Sequence, residues 1–280
     1  MSAHGSDRPR VGTVKQITSH SNPIVKEIKG LVGQRKHRAQ SGLFVGEGLK
    51  LATDALDAGW GVRYLAIGPE ARENPHAQQA AARAKARGAM ILEISTAVLA
   101  NITRRDNPQM VVGVFEQKLL EPAAIRPADA QVWIALDHVR DPGNLGTIIR
   151  TADAVGASGV MLVGETTDPF AVETVRATMG SLFHVPLVKM SRDAFKAFAR
   201  NWPGTVVGTH LKGSRDYREV AYKAPTLLLM GNEQAGLPDD MADTCTELVR
   251  IPQAGQADSL NLAVATAVML FEIQRPNLKL

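Results

Sequence analysis

Three short polar stretches hold the residues whose types and spacing could do chemistry. The first runs Asp137-His138-Val139-Arg140-Asp141-Pro142-Gly143-Asn144-Leu145-Gly146, with Arg150 one turn further on. The second is Gly231-Asn232-Glu233-Gln234-Ala235-Gly236-Leu237-Pro238, and the third runs from Pro252 to Ser259-Leu260-Asn261. Each sets amide, hydroxyl or carboxylate groups beside glycine, as in a turn able to wrap a polar ligand. Two glycines in the first could cradle a phosphate, but their spacing fits neither a P-loop nor a dinucleotide fingerprint. Plain structural roles compete with this reading. Asn144 could cap a helix, Arg150 could pair with Asp141 or Asp153, and Asp258 or Ser259 could cap the last helix. The single Cys245 excludes an internal disulfide and a cysteine-built metal site, and no metal is expected.

The elements that must position these turns are legible around them. Val132 to Leu136, Leu227 to Met230 and Leu248 to Ile251 are short apolar runs, each ending where a polar stretch begins. Carboxyl ends of strands in open α/β sheets are where ligands bind. Further strands are expected at 160–163, 183–188 and 206–207, with helices at 145–155, 171–178 and 193–200 and another starting near Pro238. Near-continuous apolar strands imply a parallel sheet covered on both faces. The final helix, Leu262 to Phe271, is apolar except for Thr266, so it must be buried in its domain or against another chain. It is shorter than the roughly 20 residues of a membrane span.

At 280 residues the chain has room for two domains. Leu119 to Ala130, with two prolines and four alanines, reads as a linker. Residues 131–280 form the domain just described. Residues 17–118 alternate short strands and helices, which implies a small α/β domain, and 1–16 read as a mobile tail. A helix is expected from Asn22-Pro23 to about Gly33, then a basic loop over Gln34 to Arg38. Residues 1–118 carry 17 Lys+Arg against 10 Asp+Glu, while the whole chain is only +4. A basic front half suggests a polyanionic partner, with Arg35, Lys36 and Arg38 in the loop and Arg104-Arg105 extending the surface. No signal peptide opens the chain and no apolar run reaches 18 residues, so a cytoplasmic location and no membrane are expected.

The three polar stretches also carry a resemblance. Asp141-Pro142-Gly143-Asn144-Leu145-Gly146 with Arg150, Gly231-Asn232-Glu233 with Gly236, and Ile251-Pro252 with Ser259-Leu260-Asn261 resemble the three signature motifs of the SpoU family. These are RNA ribose 2′-O-methyltransferases of the knotted SPOUT class, and the match in order and spacing covers 131–273. The front half is similar to the ribosomal-protein-like substrate-binding domain of one branch, through Asn22-Pro23, the basic loop and Phe44 to Glu47-Gly48. The resemblance implies a deep trefoil knot, S-adenosylmethionine held bent by the knot loops, and a homodimer. It puts the cofactor on backbone around Thr209 to Leu211, Gly231, Ile251 and Leu260. It turns Asn144, Arg150, Glu233, Ser259 and Asn261 toward the ribose.

A sulfonium methyl donor is already activated, so alignment with the ribose hydroxyl is the main task, and positioning can supply about 7–11 kcal/mol. The hydroxyl must also lose its proton. Arg150 resists that role because a guanidinium stays protonated below about pH 12, and a bidentate grip on phosphate suits it better. Glu233, or a water it orients, is the competing base. Two other readings stand beside the enzyme: an inactive RNA-binding or assembly factor, and a base-nitrogen methyltransferase. The polar set argues against both. The substrate-binding domain favours ribosomal over transfer RNA.

Overall fold

In the computed structural model, residues 11–210, 213, 215–256 and 259–279 are described. The chain divides into two compact units, 11–117 with Phe170–Arg176, and 118–169 with the rest.

The first unit is built on a mixed sheet of β1 (Val14–Ile17), β2 (Leu43–Glu47), β3 (Val62–Ile67), β4 (Met90–Ile94) and β5 (Val111–Glu116). Its order is β1-β4-β3-β5-β2; β1, β4 and β3 run parallel, and β5 runs antiparallel to β3 and β2. Its helices are α1 (Pro23–Gly33), α2 (Arg35–Ser41), α3 (Leu49–Asp57), α4 (Pro69–Glu73), α5 (Pro75–Ala86) and α6 (Thr96–Thr103). Asn22 caps α1 as expected, accepting from the Ile24 N–H at 3.0 Å with Pro23 in the first turn. Val25, Ile28 and Leu31 of α1 meet Ile102 of α6 in the core, where Val172 also packs.

Two expectations fail here. Val14 to Gln16, expected in the tail, belong to β1, which pairs in parallel with residues 91–94 of β4, Val14 opposite Ile91 and Ile17 opposite Ile94. Only Ile17 of the four is buried, so an edge strand this polar leaves no apolar alternation to read. Residues 1–10 lie outside the described range. The basic loop is the helix α2, ended by Gly42 in the left-handed conformation. Its Arg38 is buried and donates to the carbonyls of Leu31 at 2.7 Å and Val32 at 3.4 Å, satisfying the C-terminal end of α1. Arg38 is therefore a structural cation and not an RNA-facing one. Arg35 and Lys36 are exposed.

The second unit has a seven-stranded, wholly parallel sheet of order β10-β12-β9-β11-β6-β7-β8. The strands are β6 (Val132–Asp137), β7 (Gly159–Val163), β8 (Leu187–Met190), β9 (Val206–Thr209), β10 (Arg215–Asp216), β11 (Thr226–Met230) and β12 (Glu247–Arg250). Its helices are α7 (Pro142–Ala154), α8 (Val172–Thr178, begun in the other unit's segment), α9 (Arg192–Arg200), α10 (Asp239–Ala242) and α11 (Leu262–Gln274). Every residue of β6, β7 and β11 is buried, as continuous apolar strands require. α7 packs on α11, and the buried Gln274 amide donates to the Val155 carbonyl at 3.0 Å.

The strand expected at 183–188 begins later, at Leu187, after a 3-10 turn over Ser181–Phe183. Pro186 has no N–H for a ladder, and the strand starts immediately after it. Leu119 to Ala130 is likewise not a free linker: the Leu120 N–H donates to the Leu187 carbonyl, and Ile125 is buried in the second core. Among the described residues no helix is long and apolar enough to cross a membrane.

Candidate active site

Parallel pairing brings the polar turns together. β6 and β11 are neighbours, with Leu136 opposite Met230, so the turns leaving them start side by side. β9 flanks β11 on its other side and β12 flanks β9, which brings Thr209 and the turn after Arg250 to the same edge.

In the first turn Asp141 caps α7, accepting from the Asn144 N–H at 2.6 Å. The expectation that Asn144 caps this helix is thus corrected, and its side chain is left for other contacts. Arg150, exposed on α7, makes no ion pair with Asp141 or Asp153. The second turn closes on itself: Asn232 and Gly236 exchange two backbone hydrogen bonds at 3.1 Å, and the Asn232 side chain accepts from the N–H groups of Gln234 and Ala235. Gly231 must be glycine, because a Cβ there would sit 2.0 Å from the Gly236 carbonyl. In the third turn Asn261, rather than Asp258 or Ser259, caps α11, accepting from Ala263 N–H at 2.9 Å and Val264 N–H at 3.2 Å. Asp258 lies outside the described residues.

The three turns are joined by one chain of side chains. The Asn261 amide donates to Asn144 Oδ1 at 2.9 Å, and Asn144 Nδ2 donates to Glu233 Oε1 at 3.2 Å. Glu233 also accepts from the backbone N–H of Asp141 at 3.1 Å and of Arg140 at 3.2 Å. Burial alone would push its carboxyl up. Its own backbone N–H, the Asn144 amide and the two N–H groups of the first turn outweigh that and hold it below the ordinary carboxylate range. The result is an ionised acceptor with most of its lone pairs engaged.

Beside this chain lies a cavity of about 590 Å³ whose lining includes Thr209, Gly231, Glu233, Ile251, Ser259 and Leu260. Leu211, expected with them, lies outside the described residues. His210 adds an imidazole facing Asp239 at 3.5 Å, and Met230, Leu237 and Leu262 add apolar wall. Met230 and Leu262 end apolar elements and Leu237 sits in the second polar stretch, and no sequence signal separates a wall residue from a core one. His138 has a left-handed backbone and its Nδ1 lies 2.7 Å from the buried Asp137 carboxylate. In the first unit Arg104 is exposed, while half-buried Arg105 lies 3.4 Å from the buried Glu47 carboxylate, which Arg176 also meets at 3.1 Å.

Comparison with known proteins agrees with this architecture. The family model described as SpoU rRNA Methylase family matches residues 131–271, and one for an MRM3-like substrate binding domain matches 22–113. The chain is 31% identical to the 23S rRNA (guanosine(2553)-2′-O)-methyltransferase RlmP of Bacillus subtilis, over 93% of this chain and 100% of that one. It is 31% identical to the 23S rRNA (uridine(2479)-2′-O)-methyltransferase of Streptomyces viridochromogenes, over 95% of this chain and 94% of that one. The crystal structure of an AdoMet-bound rRNA methyltransferase from Sinorhizobium meliloti is 55% identical, with a TM-score of 0.89 over 95% of this chain and 99% of that one. A domain match spanning the three joined turns, and relatives matched along nearly their whole length, place this chain in the SpoU rRNA methylase family.

Proposed function

We propose that the protein transfers a methyl group from S-adenosylmethionine to a ribose 2′-hydroxyl of ribosomal RNA. The observation that carries this is the meeting of three turns, with the Asn261–Asn144–Glu233 chain beside a cavity at the strand ends. The cavity suits the cofactor: it lies within the roughly 300–1,000 Å³ of small-ligand sites, and apolar wall alternates with open backbone at Gly231 and Ile251. S-adenosylmethionine supplies an activated methyl group. Thr209, Gly231, Ile251 and Leu260 hold it, with Leu211 as a further contact on the family resemblance.

The chain's own residues then position the nucleotide. Arg150 grips the phosphate beside the target ribose, as a fixed planar cation does well. Ser259 and Asn261 orient the sugar by hydrogen bonds. Glu233 is a positioning residue: its carboxylate fixes the first turn and aims Asn144, and its depressed pKa makes it a poor proton acceptor. The hydroxyl proton leaves to a water at the open side of the site.

Arg35, Lys36 and the Arg104-Arg105 pair belong to the RNA-binding surface of the first unit. The family's trefoil knot, a homodimer and a cytoplasmic location complete the reading; exposed Val264 and Phe271 on α11 support the dimer. Ribosomal RNA is favoured over transfer RNA by the match to a substrate-binding domain. Incubation with labelled S-adenosylmethionine and unmodified ribosomal RNA, followed by nucleoside analysis, tests the reading. A labelled 2′-O-methylnucleoside is expected. A labelled base, or no transfer from protein that still binds both partners, overturns it.

A further inference from the structure

We propose that the first unit carries a pocket for one unpaired nucleotide of the RNA, formed between α1 and α6; this rests on the reading of the protein as an RNA enzyme. The cavity, about 480 Å³, is lined by His20, Lys29, Asn101, Arg104, Arg105 and Asp106, with two alanines of α6. Three fixed cations face one carboxylate, so the lining favours an anion even though Arg105 shares its charge with Glu47.

Two observations separate this pocket from an ordinary basic surface. Asn101 Oδ1 is buried and accepts no hydrogen bond among the described residues. A buried carbonyl without a partner is costly, and such groups persist where a ligand completes them. The second observation is Arg104. It ends α6 in the left-handed region, with φ of 56°, where glycine is the residue of lowest strain. Its guanidinium packs against the last residue of α1, so close that a Cβ on Gly33 would lie 2.8 Å from it. The cation thus lies beside the negative end of α1. A strained backbone is kept here with a long cationic side chain attached.

The chemistry of the ligand follows. Lys29 and Arg104 take a phosphate, and Asn101 Oδ1 takes an amino or imino N–H of a base edge. Only an unstacked nucleotide offers both groups to one cavity. The contacts that position and the contact that discriminates then lie on different residues.

Fluorescence anisotropy of the intact protein with short labelled single-stranded RNAs, at several salt concentrations, tests this. Arg104→Gly relieves the backbone strain, so its Tm should equal or exceed that of the wild type. It should nevertheless bind RNA about tenfold more weakly, with a salt slope lower by roughly 0.7, the loss of one phosphate contact. Lys29→Ala should behave similarly. Asn101→Ala should weaken binding several-fold without changing the slope, and unequally among RNAs of different base composition. Wild-type affinity and slope in Arg104→Gly, or wild-type binding in Asn101→Ala, overturns the pocket. The two readings fail separately. Protein that binds RNA through these residues but transfers no methyl group leaves the pocket standing and removes the enzyme. Protein that methylates ribosomal RNA with KM unmoved by Arg104→Gly removes the pocket alone.

Discussion

Glu233 shows how hydrogen-bond geometry decides between roles that residue type leaves open. A carboxylate in a polar turn reads equally as base or brace, and the four donors around this one favour the proposed brace. Its folded-state pKa is depressed, so its stabilisation is complete above the ordinary carboxylate range and is lost as pH falls through the lowered value. The pH–rate profile should therefore show no limb near neutrality from this group. Glu233→Gln turns a donor toward the Arg140 N–H, so it should lower both Tm and the methyl-transfer rate. A base would lose roughly 10²–10⁴-fold in rate with Tm untouched, and single-turnover kinetics beside calorimetry distinguish the two. Arg150→Lys should keep partial activity and the wild-type pH profile; a shifted limb would return the base role to arginine. Cys245 tests burial in the same way. Desolvation pushes its thiol up to about 12, the hydrogen bond with Thr244 opposing only weakly. Iodoacetamide at pH 8 should leave it unmodified until denaturant is added, and rapid labelling of folded protein would contradict this.

At the scale of elements, Asn261 does two tasks that substitution can separate. Its Oδ1 caps α11 and its Nδ2 donates to Asn144. Asn261→Ala should cost about 1 kcal/mol through the lost cap. Asn261→Asp keeps an acceptor for the Ala263 and Val264 N–H groups but cannot donate, so Tm should hold while methyl transfer falls. Equal Tm losses in the two variants would mean that the cap is not what Asn261 supplies. Such dual roles also mark the limit of what the sequence reveals. The strands at Val132 and Thr226 are legible because burial makes them apolar throughout, and that at Glu247 only through Leu248 and the buried Val249; the turns after them are legible because glycine and amides punctuate them. Which amide caps and which bridges depends on register between strands far apart in the chain, so Asn144 reads as a cap when Asp141 holds that place. The polar edge strand at Val14 and the helix at Arg35 escape for another reason: neither buries enough of its own residues to show a period.

The whole molecule is asymmetric in charge, basic across residues 1–118 and mildly acidic beyond, which suits a front unit that meets phosphate and a back unit that does chemistry. Removing the front unit is a poor test of that division, because Phe170 packs its ring 5.0 Å from Phe44 and would lose its neighbours. Substitutions in the intact chain are cleaner. On α11, Val264 is 50% exposed and Phe271 52% exposed. They stand seven residues apart, with Ala267 and Val268 between them, so they form one apolar stripe on the helix face away from its core. A stripe of this kind is a candidate interface for the proposed homodimer, in which a two-fold axis across it would pair the same stripe from two subunits. Symmetry then counts each substitution twice. Phe271→Glu should remove two buried rings at ~1.5–3 kcal/mol each, raising the dimer dissociation constant by roughly 10²–10⁴-fold, and it sets two like charges together. Light scattering should find the wild type dimeric at micromolar concentration and Phe271→Glu monomeric, with Tm now independent of concentration. A monomeric wild type, or a dimer indifferent to Phe271→Glu, would place the interface elsewhere.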